Sequence, residues 1–145
     1  MKKRRVVITG LGIVCPVGNT ITEAWRNILN GKSGIASLKN IDTEGQAVTF
    51  GGSVKHFDIH EYLSPKEAKK MDIFIHYGMA AGIQAIEDSG IEIIDSNAAR
   101  IGVAIGAGIG GLTTIEKTAD LFREKGPKRI SPFFVPSSII NMVSG

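Results

Sequence analysis

Nucleophilic chemistry needs a thiolate or hydroxyl with a base beside it. This sequence offers one cysteine, Cys15, and three histidines, His56, His60 and His76. Cys15 follows an apolar run and has no histidine near it in sequence, so it reads as a packed thiol, the usual state of a free cysteine. His56 and His60 stand four apart, but Phe57-Asp58-Ile59 between them has turn character and no third ligand is evident, which argues against zinc. His76 lies in an apolar stretch, where a hydrogen-bonded packing role is expected. The scattered Asp and Glu residues form no pair with separate acid and base assignments. No complete catalytic constellation is visible.

Two glycine clusters could instead cradle a phosphate. In Gly10-Leu11-Gly12-Ile13-Val14-Cys15, cysteine stands where a dinucleotide fingerprint requires its third glycine, and Pro16-Val17-Gly18 delays the helix. A structural strand-to-helix turn is expected there, against an independent nucleotide-binding domain. Gly106-Ala107-Gly108-Ile109-Gly110-Gly111 lacks the Lys-Ser/Thr of a phosphate loop. It suggests close backbone packing, with Ile109 either lining a cavity or filling core. Basic residues are more suggestive. Lys66, Lys69 and Lys70 recur at i, i+3, i+4, and Lys125, Lys128 and Arg129 gather before a Pro-Phe-Phe segment. Each group is either a solvated face or, if the two meet, a surface that steers an acidic partner. Aromatic residues are not interleaved with them, which disfavours nucleic acid as that partner.

The elements that must position these residues follow from periodicity and caps. Residues 5–9 form a β-branched run, read as a buried strand of a parallel sheet. Thr20 with Glu23 makes a capping box, and Ile21, Ala24, Trp25, Ile28 and Leu29 mark one helical face that ends at Asn30-Gly31. Val48-Thr49-Phe50 and Val54 suggest a small edge hairpin around Gly51-Gly52. Ser64-Pro65-Lys66-Glu67 is a second helix start. Residues 71–89 are apolar on nearly every face, which predicts a buried helix stopped by Gly90. Residues 100–107 read as a second strand, and Leu112, Ile115, Ala119 and Phe122 as a helix closed by Lys125-Gly126-Pro127. An extended loop between Pro132 and Pro136 then leads to a final helix from about Ser137. Strand, helix, buried helix, strand, helix describes a layered α/β fold.

At 145 residues, 43% apolar and 21% charged, the chain suits one domain with a core and excludes a disordered tail. The net charge of +3 is too small to argue for nucleic acid by itself. No apolar run reaches the ~18 residues of a membrane span. The basic start, Met1-Lys2-Lys3-Arg4-Arg5, leads only into Val6-Val7-Ile8, so a secretory signal is not expected. One cysteine cannot form an internal disulfide and suits a reducing cytoplasm. The helical pattern still runs at Gly145, so residues 1–145 read as the N-terminal portion of a larger protein.

Residues 4–12, Arg-Arg-Val-Val-Ile-Thr-Gly-Leu-Gly, with Pro16-Val17-Gly18-Asn19, resemble the opening of the β-ketoacyl-[acyl-carrier-protein] synthases, the elongating condensing enzymes of fatty acid synthesis. So do Arg100-Ile101-Gly102 through Gly110-Gly111, and Lys128-Arg129-Ile130-Ser131-Pro132-Phe133-Phe134-Val135-Pro136-Ser137 is closest to the second type of synthase. The resemblance implies a thiolase-like fold, here an incomplete N-terminal half, and a homodimer. It implies decarboxylative Claisen condensation of a cysteine-bound acyl chain with malonyl-carrier protein, no cofactor held by the enzyme itself, and substrates carried on the phosphopantetheine of acyl carrier protein. The family's nucleophile segment and two catalytic histidines lie beyond Gly145, so this chain alone is expected to be inactive. Neither Cys15 nor His56, His60 or His76 matches those positions. By the same resemblance Ile109 lines the acyl pocket and Phe134 lies near its dimer-interface end. Lys66, Lys69, Lys70, Lys128 and Arg129 match the patch that docks the acidic carrier. A non-catalytic relative, a chain-length partner that keeps the fold and replaces the cysteine, shares every one of these motifs.

Overall fold

Capping residues start the first two helices where the sequence predicts them. In the computed structural model, which describes residues 3–39 and 41–145, helix α1 spans Ile21–Leu29. Met1 and Lys2, part of the basic start, and Asn40 lie outside the described residues. Thr20 Oγ1 accepts the Glu23 N–H at 3.3 Å, while the Glu23 carboxylate accepts the Asn19 N–H at 2.8 Å, one residue earlier than a standard capping box. Gly31 follows at φ +65°, a conformation that costs glycine little. Helix α2, Pro65–Ala68, has the full reciprocal box between Ser64 and Glu67. Helix α3 covers Ile73–Ser89 and stops at Gly90 with φ +63°. After a short α4, Asp95–Ala98, helix α5 spans Leu112–Lys125 and ends at Gly126 with φ +75°.

The expected strands turn out differently. Among the described residues, neither residues 5–9 nor residues 100–107 enter a β ladder, and Val6 and Ile8 are 91% and 81% exposed. A strand exists only through its neighbour, and the partner of the N-terminal segment is a helix. Gly10 and Gly12 press on the α3 backbone at Ala85 and Ala81, so closely that a Cβ at either would collide with a carbonyl oxygen. The Leu11 N–H donates to Asp88 Oδ2 at 2.9 Å, and the Ile13 N–H donates to Gln84 Oε1 at 3.3 Å. Helix side chains thus satisfy backbone groups that a neighbouring strand would otherwise take. The glycine turn is structural, as expected.

The hairpin expected around Gly51-Gly52 is also corrected. Strand β1, Ala36–Ser37, pairs antiparallel with β2, Phe50–Gly51, in the register Ala36 to Gly51 and Ser37 to Phe50. The Leu38 N–H extends it to the Thr49 carbonyl at 2.9 Å. The loop before Pro136 is shorter than expected too. Helix α6 spans Phe134–Ser138 and a 3-10 turn follows over Ile140–Val143. Pro136 fits because it stands in the first turn, where its missing N–H has no intrahelical partner to lose.

The chain divides into two compact units. One is the chain up to Asp58 with Ala81–Ile91, and the other is Ile59–Ala80 with Glu92–Gly145. In the first, Ala24 is buried beneath Gly18. In the second, the core gathers Ile59, Ala68, Ile75, Ala80 and Val143. Helix α3 is not covered all round: Ile73 and Ile86 are exposed, because the described residues pack against only part of its apolar circumference.

Candidate functional site

The second unit holds every basic residue singled out for docking and both residues singled out for an acyl pocket. Its first basic group is built on α2. Lys66 and Lys69 are exposed, while Lys70 is half-buried and places Nζ 5.2 Å from the centroid of the Phe133 ring. A cation over an aromatic face at that range is attracted by the ring's quadrupole. The one carboxylate within this run, Glu67, is turned back on the helix start, accepting from the Ser64 hydroxyl at 2.5 Å and the Ser64 N–H at 3.3 Å. The Ser64 hydroxyl, and then the backbone bond, hold its carboxyl below the ordinary value of 4.5. Glu67 is thus spoken for, and Lys66 and Lys69 face solvent.

The second basic group stands on a 3-10 turn over Pro127–Arg129, directly after α5, with Lys128 and Arg129 exposed. Lys125 closes α5 and complements its C-terminal dipole. Lys70 reaches the chain that follows the second group: its ring partner, Phe133, lies four residues past Arg129 and beside Phe134. Phe134 is half-buried and opens α6. Ile109 is 69% exposed, so it fills no core within these residues. Its turn is nonetheless held. The Gly111 N–H donates to the Ser138 carbonyl at 2.9 Å, and Gly110 takes φ +80° against the same carbonyl. The turn of Ile109 therefore rests on the end of the helix that Phe134 begins. Close backbone packing holds at Gly110 and Gly111 only, since Gly106 and Gly108 face open space.

Sequence reasoning passed over the residue that ties these parts together. Asp72 is 7% exposed. Its Oδ2 accepts the Thr114 N–H at 3.0 Å and the Thr114 hydroxyl, and its carbonyl accepts the Ile75 and His76 N–H groups in the first turn of α3. An aspartate just before an apolar helix is a start signal. Its bond to Thr114, 42 residues away, leaves no trace in local sequence.

Two of the remaining candidates hold local structure. Cys15 donates through Sγ to the Gly18 carbonyl at 3.4 Å, inside a tight turn in which Cys15 and Gly18 also exchange both backbone bonds. His76 pairs through Nε2 with the Ala68 carbonyl at 2.9 Å, the packing role expected of it. His56 takes φ +54° and belongs to the first unit, where it lines an open cleft of about 170 Å³ with Pro16, Glu23, Asn27, Lys32 and Lys55. His60 belongs to the second unit. No helix among the described residues is long and apolar enough to cross a membrane.

Residues 3–145 match the family model described as "Beta-ketoacyl synthase, N-terminal domain". The chain belongs to the β-ketoacyl synthase family. The chain is 57% identical over all 145 residues to "3-oxoacyl-[acyl-carrier-protein] synthase 2" of Vibrio cholerae, and 48% identical over the same span to the protein of that name from Coxiella burnetii. It spans 35% of the length of each of these relatives. A β-ketoacyl synthase from Burkholderia phymatum superposes with a TM-score of 0.77 over 98% of this chain and 35% of its own, at 20% identity. A type II polyketide ketosynthase, solved with its acyl-carrier protein, gives 0.76 over 98% of this chain and 37% of its own, at 23% identity. These likenesses establish the ketosynthase, thiolase-like fold.

Proposed function

We propose that these residues are the N-terminal part of a fatty-acid-elongating 3-oxoacyl-acyl-carrier-protein synthase of the second type. The reaction begins when a cysteine outside residues 1–145 takes an acyl chain from its carrier as a thioester, releasing the carrier thiol. Malonyl-carrier protein then loses carbon dioxide. The resulting carbanion attacks the thioester carbonyl, the carbon–sulfur bond breaks, and a 3-oxoacyl-carrier two carbons longer leaves with the cysteine restored. The observation that carries this reading is the 57% identity, over the whole chain, to a relative of that name.

In this reading residues 1–145 supply docking and shape rather than the nucleophile. The acidic carrier docks on Lys66, Lys69, Lys70, Lys128 and Arg129, supported by the exposure of Lys66, Lys69, Lys128 and Arg129 and the engagement of Glu67 with Ser64. Ile109 lines the acyl pocket, and Phe134 lies at its end near the interface of a homodimer. The exposed position of Ile109 on a turn anchored to the helix of Phe134 supports that pairing. The enzyme holds no cofactor of its own, because the carrier's phosphopantetheine delivers both substrates. It works in the cytoplasm, a compartment that suits the free thiol of Cys15.

The test is to incubate the full-length protein with a labelled acyl-carrier, map the label by proteolysis, and then add malonyl-carrier. Label on a cysteine other than Cys15 and a 3-oxoacyl product are expected. Residues 1–145 alone are expected to give neither. Product without label, or label on Cys15, would overturn the assignment of roles. A full-length protein that takes no acyl group would instead be the non-catalytic, chain-length type of relative.

A further inference from the structure

Helix α5 begins on Gly111, which has no side chain to cap it. A capping side chain could not be placed there: a Cβ on Gly111 would lie 2.8 Å from Ser138 Cα, 2.9 Å from the Ser137 carbonyl oxygen and 3.1 Å from Asp72 Oδ2. The exposed N–H groups of the first turn still need an acceptor, and Asp72 supplies it from another element. Its buried carboxylate takes both the N–H and the hydroxyl of Thr114, and a negative group at that end is also favoured by the helix dipole. The Gly111 N–H itself is held by the Ser138 carbonyl. Only Gly110 separates this pair of bonds, the clamp, from Ile109, whose own side chain is largely exposed and whose preceding glycines, Gly106 and Gly108, leave open space where a Cβ would stand. The position of Ile109 is therefore inherited from the clamp.

Asp72 also ends the docking segment. Lys70, on Phe133, is two residues before it, and the Met71 N–H between them is bonded to the Ala68 carbonyl at 3.2 Å, so the connection is short and turned. We propose that Asp72 is a positioning residue for acyl-chain selection: it fixes the first turn of α5, and with it Ile109, to the segment on which the carrier docks. The proposal rests on the docking and pocket roles given above. With the clamp released, the first turn of α5 frays and Ile109 no longer holds one position. A wall that moves excludes less, so discrimination against long acyl chains relaxes.

The experiment measures kcat/KM of the full-length synthase for short-chain and long-chain saturated acyl-carriers, beside KM for malonyl-carrier. Asp72→Ala is expected to raise the long-to-short ratio by about ten-fold, the low end of what one methylene is worth in a hydrophobic pocket. KM for malonyl-carrier should stay unchanged. Thr114→Ala, which loses one of the two donors, should move the ratio the same way by less, and Thr114→Ser, which keeps both, should retain the wild-type ratio. If Asp72→Ala does not fold, the Thr114 pair decides. Equal losses for both chain lengths in Asp72→Ala, or an unmoved ratio in Thr114→Ala, would reduce Asp72 to a stability role and overturn the proposal. Failure of the wild-type enzyme to condense any acyl-carrier would instead overturn the functional reading beneath it.

Discussion

Reversing Lys69 and Arg129 to Glu tests the docking surface most directly. Both side chains are exposed, one at the end of α2 and one on the 3-10 turn after α5, and neither makes a side-chain hydrogen bond among the described residues. Lys70 is a poorer probe, since its contact with Phe133 would be lost along with its charge. An exposed ion pair contributes roughly 0.2–1 kcal/mol. Reversal replaces that attraction with a repulsion of similar size, so each substitution costs about 1 kcal/mol and the pair about 2 kcal/mol if they act independently. At about 1.4 kcal/mol per decade, that raises the carrier-protein KM by roughly thirty-fold at low ionic strength. Screening shortens from about 10 Å at 0.1 M salt to about 3 Å at 1 M, so the wild-type KM should rise with salt and the double variant's should barely change. Steady-state condensation with acyl-carrier varied at several salt concentrations reads both effects. An unchanged KM with an unchanged salt dependence would refute the docking role, and a fall in kcat alone would point to a structural fault.

Gly12→Ala should destabilise the protein by about 3 kcal/mol or more, because a methyl group meets the Ala81 carbonyl and the bonds of Leu11 and Ile13 to α3 are strained with it. Gly102→Ala, in open space, should change stability by no more than about 0.5 kcal/mol, and denaturant midpoints of the full-length protein compare the two. The lowered carboxyl of Glu67 implies stability that is present above its ordinary value of 4.5 and lost as pH falls through the lower folded value. The Tm advantage of wild type over Glu67→Gln should accordingly shrink as pH drops below 4.5, and a gap that widens in acid would contradict the capping box. Residues 1–145 expressed alone should associate, since Val6, Ile8, Leu29 and Ile109 are 91%, 81%, 68% and 69% exposed. A monodisperse monomer with a sharp melt in light scattering and calorimetry would contradict that.

Local signals were legible where one or two turns of chain satisfy themselves. Thr20 and Ser64 start α1 and α2, and Gly31, Gly90 and Gly126 stop α1, α3 and α5, because caps and left-handed stops are settled by residues three or four apart. The basic run of residues 66–70 was likewise readable as one helical turn. Its orientation was not, since the contact of Lys70 with Phe133 joins segments far apart in the chain. Strand content was misread for the same kind of reason. A β-branched run signals a preference for extended backbone, but the ladder needs a neighbour, and the Gly10 to Ile13 backbone found its partners on a helix. Phe50 paired with Ser37 rather than across Gly51-Gly52, a choice of register that local patterning leaves open. Asp72 marks the limit most clearly. The sequence by itself determined that an apolar helix follows it, and its own backbone carbonyl opens that helix. Only the tertiary structure decided that its carboxylate caps a different helix, because closing Gly111 against Ser138 excludes a side chain there and leaves that helix to take its acceptor from elsewhere.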